Sequence, residues 1–197
     1  MTTGSASNTT AAATRSGAHW AIFVTVAGLI VVFDQLTKAW LAANLSPGQM
    51  VRVVGDLVRL VFSQNSGALF GLFRDNAALF GIVSLGVVGF IVLYHARVGR
   101  SLYLSIALGL LLGGALGNLT DRLRLGYVID FVDLGIGGFR WYTFNVADAA
   151  ISTAIVMLVG AAIFPSLAGL DEKPTEKANA KAPEKPTETT TETPSDG

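Results

Sequence analysis

The chain alternates between long apolar runs and short polar intervals. The runs are WAIFVTVAGLIVVF (20–33), AALFGIVSLGVVGFIVLY (77–94), LYLSIALGLLLGGALG (102–117) and AAISTAIVMLVGAAIF (149–164). A helix needs about 20 predominantly apolar residues to cross a bilayer. The first run reaches that length only by continuing past Asp34, and the other three reach it with a few flanking residues. The pattern predicts an all-α membrane protein, a bundle of four transmembrane helices with both termini on one side. The interval HARVGR (95–100) carries Arg97 and Arg100, and the positive-inside tendency places it, and with it both termini, in the cytoplasm. Arg52, Arg59, Arg74, Arg122, Arg124 and Arg140 then fall on the opposite side.

The segment MVRVVGDLVRLVFSQ (50–64) has a different rhythm. It is rich in Val, alternates in places, and has Gly-Asp near its middle. It predicts a hairpin or small sheet, a β-element on the outer surface, too short and too charged to span. Residues 1–18 are small and polar, and residues 169–197 are mostly Pro, Thr, Lys and Glu. Both are expected to be disordered tails around a membrane domain of residues 19–168. No convincing cleavage site follows the first apolar run, so the N-terminus is not expected to be a secretory signal. Gly109, Gly113 and Gly117 recur every four residues in the third run, a spacing that lets helices approach closely in lipid.

Composition agrees with this picture. Hydrophobic residues make up 51% of the 197 and charged residues 14%, with a mean hydropathy of +0.54, where a soluble domain carries about 25% charged residues. Zero net charge argues against a nucleic-acid partner. The absence of Cys excludes disulfides, thiolate metal sites and a Cys nucleophile. The two His, His19 and His95, stand apart in sequence, and a zinc centre needs about three clustered ligands.

The polar residues near the spans gather at one end. Asp34 lies at the exit of span one, Asn65 before span two, Asn118, Asp121 and Arg122 at the close of span three, and Asn145 and Asp148 at the start of span four. Counting helices puts all of them on the same side of the membrane. Asn118 and Asp121 are three apart, as are Asn145 and Asp148, a spacing that shares a helix face. Asp121 and Arg122 suit an ion-pair network at a helix end, and Asp34 suits an acid satisfied by nearby backbone. Lys38 is expected to snorkel to the interface. Asp130 and Asp148 are separated by a linker rich in Gly and aromatic residues that can fold back on itself. Two carboxylates sharing one site force one pKa upward, the arrangement of an acid–base pair. The plainer alternative is two unrelated loop acids.

FDQLTK, NSGALFG, GGALGNLTDRLRLGYVIDFVDL and FNVADAAI, in this order across four spans, resemble the bacterial lipoprotein signal peptidase (signal peptidase II) family. The resemblance covers roughly residues 20–165 and departs at none of the polar motif positions; four ordered motifs are far more specific than one. It implies an aspartyl endopeptidase of the bacterial inner membrane, a four-helix bundle with a small extracytoplasmic β-cradle. The family removes signal peptides from prolipoproteins, cleaving before a Cys that carries diacylglycerol, and globomycin inhibits it. Carried over by motif, Asp130 and Asp148 are the catalytic pair. Asn65, Asn118, Arg122 and Asn145 line the site or hold the substrate, and Asp34 and Asp121 support it. No metal or organic cofactor is implied. The partners are the lipidated prolipoprotein and membrane lipid, at a site near the extracytoplasmic face.

Two other classes compete. A proton-coupled transporter would use intramembrane acids as a relay, but no span carries a polar stripe along its length. A Ser–Lys protease would need Ser63 or Ser66 beside Lys38, and nothing in the sequence places them together.

Overall fold

The computed structural model describes residues 5–66, 77–98 and 101–169. In chain order they form helix α1 (Ser5–Asn44), strands β1 (Met50–Val54) and β2 (Val58–Asn65), helices α2 (Ala77–Val98) and α3 (Leu102–Leu125), strands β3 (Val128–Ile136) and β4 (Phe139–Arg140), and helix α4 (Val146–Ile163), followed by a 3-10 turn at Pro165–Ala168. Among the described residues, four helical stretches are long and apolar enough to cross a membrane: Gly17–Asn44, Gly81–Val98, Leu102–Leu125 and Val146–Ile163. The chain is therefore an α-helical membrane protein of four spans with a small antiparallel sheet, the fold its hydrophobic pattern predicts.

Helix α1 begins at Ser5, within the segment expected to be a disordered tail. Extending an existing helix adds a hydrogen bond per residue without a new nucleus, and Ala11, Ala12 and Ala13 have the best helix propensity. The GALFG part of the NSGALFG motif, Arg74, Arg100 and the C-terminal segment from residue 170 lie outside the described residues.

Helix α3 is the centre of the bundle and packs against α1, α2 and α4. Its glycines make this possible. A Cβ on Gly113 would lie 2.7 Å from the Ala27 carbonyl of α1, and one on Gly114 would lie 2.5 Å from the Ala147 carbonyl of α4. The four-residue glycine spacing thus serves close packing of α3 on α1, with Gly114 doing the same toward α4. Phe23 and Ala27 of α1, Ile91 of α2 and Leu108 and Leu112 of α3 form the apolar core deeper in the bundle. Ser101 caps the N-terminus of α3, and Gly126 ends it in the left-handed region (φ 80°), which glycine adopts without a Cβ clash. The chain then turns directly into β3.

The sheet has the order β1-β2-β3-β4, each neighbouring pair antiparallel. The expected hairpin of residues 50–64 is β1 and β2, turning at Gly55 (φ 49°). Strand β3 is an addition that the hydrophobic pattern did not reveal. An isolated two-stranded hairpin is marginal in water. Here Leu41 in the last turn of α1 and Leu45 just after it, Phe62 of β2, and Ile129 and Phe131 of β3 form a second buried cluster. Burial of each large side chain contributes about 1.5–3 kcal/mol, enough to pin the sheet to the end of the bundle.

Candidate active site

Asp130 is the third residue of β3, between Ile129 and Phe131, which pack into the cluster beneath the sheet. Alternation along a strand turns Asp130 to the other face, where it is 3% exposed. On the neighbouring strand Ser63 is its register partner, and Asn65 lies diagonally beyond. Asn65 Nδ2 donates to Asp130 Oδ2 at 3.0 Å.

The chain returns to this point after β4. Phe144 pairs with β3, its N–H donating to Val132 O at 3.1 Å and its carbonyl accepting from the N–H groups of Phe131 and Val132 at 3.0 and 2.8 Å. The next residue, Asn145, is thereby set beside Asp130 and starts α4. Its Nδ2 donates to Asp130 Oδ1 at 2.8 Å, and its Oδ1 accepts the backbone N–H of Asp148 at 2.9 Å. Asp148 Oδ2 in turn accepts the N–H of Asn145 at 3.2 Å. The FNVAD motif is therefore a capping box, with Asn145 just before the helix and Asp148 on its first turn. The spacing had suggested two residues on one helix face; as the cap, Asn145 has extended backbone and reaches both acids instead.

The two polar residues of α3 diverge. Asn118 turns to α4: its Nδ2 donates to Asp148 Oδ1 at 2.8 Å, and its Oδ1 accepts from Asn145 Nδ2 at 3.1 Å. Asp121 turns to α1 and β3, where its oxygens accept from Gln35 Nε2 at 2.9 Å and the Ile129 N–H at 3.2 Å. Its ion-pair partner is Lys38 at 2.8 Å. Arg122, part-buried, donates to the Asn118 carbonyl at 3.3 Å, and its guanidinium is within electrostatic reach of Asp148, Asp130 and Asp121.

Asp34 is fully buried and does more than end a span. Its Oδ1 accepts the N–H of Ala147, an otherwise orphan donor in the first turn of α4, at 3.0 Å. Its Oδ2 pairs with Lys38 Nζ at 2.7 Å. Lys38 corrects the expectation drawn from its position, since it is 2% exposed and points into the bundle rather than out to the interface. Its three N–H donors are taken by Asp34, Asp121 and Asn118 Oδ1, the last at 3.1 Å. A cation desolvated this deeply is retained only where carboxylates face it from good geometry. That saturation also removes Lys38 as the base of a Ser–Lys pair.

Asp133, in the same acidic stretch, is outside the site; it pairs with Arg140 at 2.7 Å and ties β3 to β4. All eight residues expected at the site from the sequence, Asp34, Asn65, Asn118, Asp121, Arg122, Asn145, Asp130 and Asp148, do converge at one end of the bundle. Sequence reasoning missed Gln35 and Lys38 as members. The signal for Lys38 was its spacing of one helical turn from Asp34, which permits an ion pair.

The electrostatics set the two central acids apart. Burial, and then the charge of Asp148, push the Asp130 carboxyl up to about 6, against the donors Asn65 and Asn145 and the charge of Lys38. Asp148 is more open than Asp130. A buried acid that ionises late beside a second carboxylate is suited to paired acid–base chemistry.

Fold and site together define a class: an integral membrane protein whose helix ends and surface sheet enclose a pair of carboxylates bridged by amides. Residues 26–164 match the family described as signal peptidase (SPase) II. The lipoprotein signal peptidase of Pseudomonas aeruginosa (strain UCBPP-PA14) is 41% identical over 144 residues, covering 70% of this chain and 83% of that protein. That of Moorella thermoacetica is 37% identical over 145 residues, covering 73% and 94%. That of Leifsonia xyli is 43% identical over 136 residues, 66% of this chain but only 61% of that longer protein. Two solved structures, each described as a bacterial membrane enzyme determined by the in meso method, superpose with TM-scores of 0.69 and 0.67 at 28% identity, covering 77% and 72% of this chain and 92% of each of theirs. The chain belongs to the signal peptidase II family, and so among the membrane peptidases.

Proposed function

We propose that this protein is an aspartyl endopeptidase that removes the signal peptide from diacylglyceryl-modified prolipoproteins, cleaving before the lipidated Cys. The observation that carries the reading is that one buried residue, Asn145, holds both carboxylates, its Nδ2 donating to Asp130 Oδ1 and its backbone N–H to Asp148 Oδ2. In the proposed reaction the ionised member of the pair takes a proton from water, and the water attacks the scissile carbonyl. The protonated member donates to the carbonyl oxygen, and a tetrahedral diol forms. The member that took the proton from water then gives it to the leaving nitrogen while the other takes a proton back from a diol hydroxyl; the C–N bond breaks, the carbonyl re-forms and the pair is restored. Asn65, Asn118, Arg122 and Asn145 hold the carboxylates and the substrate backbone, and Asp34 and Asp121 hold the helices that carry them.

The site would face the extracytoplasmic side, with both termini cytoplasmic, in keeping with Arg97 at the far end of α2. A substrate helix lying in the bilayer with its acyl chains in lipid would bring the scissile bond to the depth of the helix ends. Each buried methylene adds about 0.8 kcal/mol to that anchoring, and binding energy from remote groups positions the reacting peptide. A globomycin-type peptide would compete for the same place.

The test is cleavage of a diacylglyceryl prolipoprotein by the purified protein, its Asp130→Asn and Asp148→Asn variants, and the same precursor without lipid. Loss of turnover in both variants, and much slower cleavage of the unlipidated precursor in the same micelles, are expected. Near-normal turnover by either variant removes that residue from the mechanism, and equal kcat/KM for the two precursors removes the lipoprotein assignment.

A further inference from the structure

Lys38 is the most deeply buried cation among the described residues, and the mechanism above does not use it. It sits behind Asn118 as seen from Asp148. An Asn side chain offers a carbonyl oxygen, which only accepts, and an NH2 group, which only donates. Its orientation is decided by its neighbours. Lys38 Nζ can only donate, and it lies 3.1 Å from one terminal atom of the Asn118 amide. An ionised carboxylate can only accept, and Asp148 Oδ1 lies 2.8 Å from the other. Between these two groups the amide has one satisfied orientation, oxygen toward Lys38 and NH2 toward Asp148. The same orientation leaves Asn118 Oδ1 to accept from Asn145 Nδ2, which also donates to Asp130. One ammonium thereby sets the polarity of two amides and aims donors at both acids.

We propose that Lys38 is a positioning residue of the site: held by Asp34 and Asp121, it locks the Asn118 amide with its NH2 toward Asp148. Its ammonium is also a cation near the carboxylate pair, and a nearby cation favours the ionised form of an acid. The inference rests on the proposed aspartyl mechanism. The charged groups around the pair are Asp34 and Lys38 of α1, Asp121 and Arg122 of α3, Asp130 of β3 and Asp148 of α4. Among them Lys38 and Arg122 are the cations. Loss of Lys38 therefore makes the pair harder to ionise and frees Asn118 to rotate. Misplacement of a reacting group by about 1 Å can cost roughly 100-fold in rate.

The first experiment compares the unaltered enzyme with Lys38→Met, reading thermal stability in detergent and the pH profile of kcat and KM on a lipidated precursor. A folded variant with kcat lowered about 100-fold, KM little changed, and the acid limb of the profile moved to higher pH is the expected result. A folded variant whose profile has not moved overturns the proposal, whatever its rate. Lys38→Met also leaves Asp34 and Asp121 without their shared counter-charge. If it does not fold, the comparison is Asp34→Asn/Lys38→Met, which restores the local net charge, against Asp34→Asn alone. A double variant at least roughly tenfold slower in kcat than Asp34→Asn, the size of one lost positioning hydrogen bond, supports the positioning role. A double variant as fast as Asp34→Asn, or one that also fails to fold, overturns it. The unaltered enzyme separates the two ideas: if it does not cleave the lipidated precursor, the proposed function fails, whereas cleavage by it and by the variants with equal profiles removes only the role of Lys38.

Discussion

Asn145 donates from its side-chain amide to Asp130 Oδ1 at 2.8 Å, across a join between strand β3 and the start of helix α4. The oxygen of the same side chain caps the N–H of Asp148 at 2.9 Å. One residue is thus a helix cap and the bridge between two acids, and substitutions can separate the roles. Asn145→Asp keeps a cap of equal quality but can no longer donate to Asp130, and it adds a third carboxylate. It should retain helicity by circular dichroism and lose most turnover. Asn145→Ala should lose both, with about 1 kcal/mol from the cap and a further 1–3 kcal/mol, roughly, from buried groups left unsatisfied. Turnover by Asn145→Asp near the unaltered rate would show that the bridge is dispensable.

Gly117 sets the depth at which α1 meets α3. A Cβ there would stand 2.7 Å from Asp34 Oδ2 and 3.3 Å from the Ala147 Cβ. Gly117→Ala should displace Asp34, loosen its hold on α4, and lower both the melting temperature and kcat. The expected cost is about 1–3 kcal/mol, the usual range for overpacking. Among the described residues, nothing lies within 4 Å of the same added atom on Gly89 of α2. Gly89→Ala should be neutral or stabilise by up to about 1 kcal/mol through helix propensity. Parallel thermal melts of the two variants check the contrast, and equal melting temperatures would contradict it.

The raised carboxyl of Asp130 has a stability cost with a defined sign. Its ordinary value is 3.8 and its folded value about 6. Below both, the folded and unfolded chains are protonated and the group contributes nothing. As pH rises through this window the unfolded chain ionises first, so stability falls and then levels off above about 6. The shift corresponds to a loss on the order of 3 kcal/mol. Asp130→Asn lacks this titration. The melting temperature of that variant relative to the unaltered protein should therefore rise between about pH 4 and about pH 7, the window of a carboxyl so shifted. A difference that stays constant across the range would mean that the fold does not raise the Asp130 carboxyl.

The parts of this architecture that were legible from sequence depend on local composition. Four apolar runs become four helices because a run of that length and hydropathy is satisfied by the bilayer whatever its neighbours are. The count of helices then forces Asp34, Asn118, Asp121, Asn145 and Asp148 to one end. Strand β3 was not legible. Its sequence VIDFVDLGI mixes acids with apolar residues without strict alternation, and it is a strand because β2 offers it an edge and Leu41, Leu45 and Phe62 offer it a core.

Sequence by itself thus determined the four spans, the hairpin of β1 and β2, and the identity of the polar residues that gather at one end. Only the tertiary structure decided how those residues pair. Lys38 shows the reason most clearly. A lysine near a span end can reach out to water or turn inward, and its own sequence neighbourhood permits both. The choice is made by Asp121, contributed by a different helix, which joins Asp34 in compensating the cost of burying the ammonium. In the same way Asn145 meets Asp130 only because Phe144 has paired with Val132. Hydrogen bonds and ion pairs act over about 3 Å, so the partners they select depend on packing between segments distant in the chain.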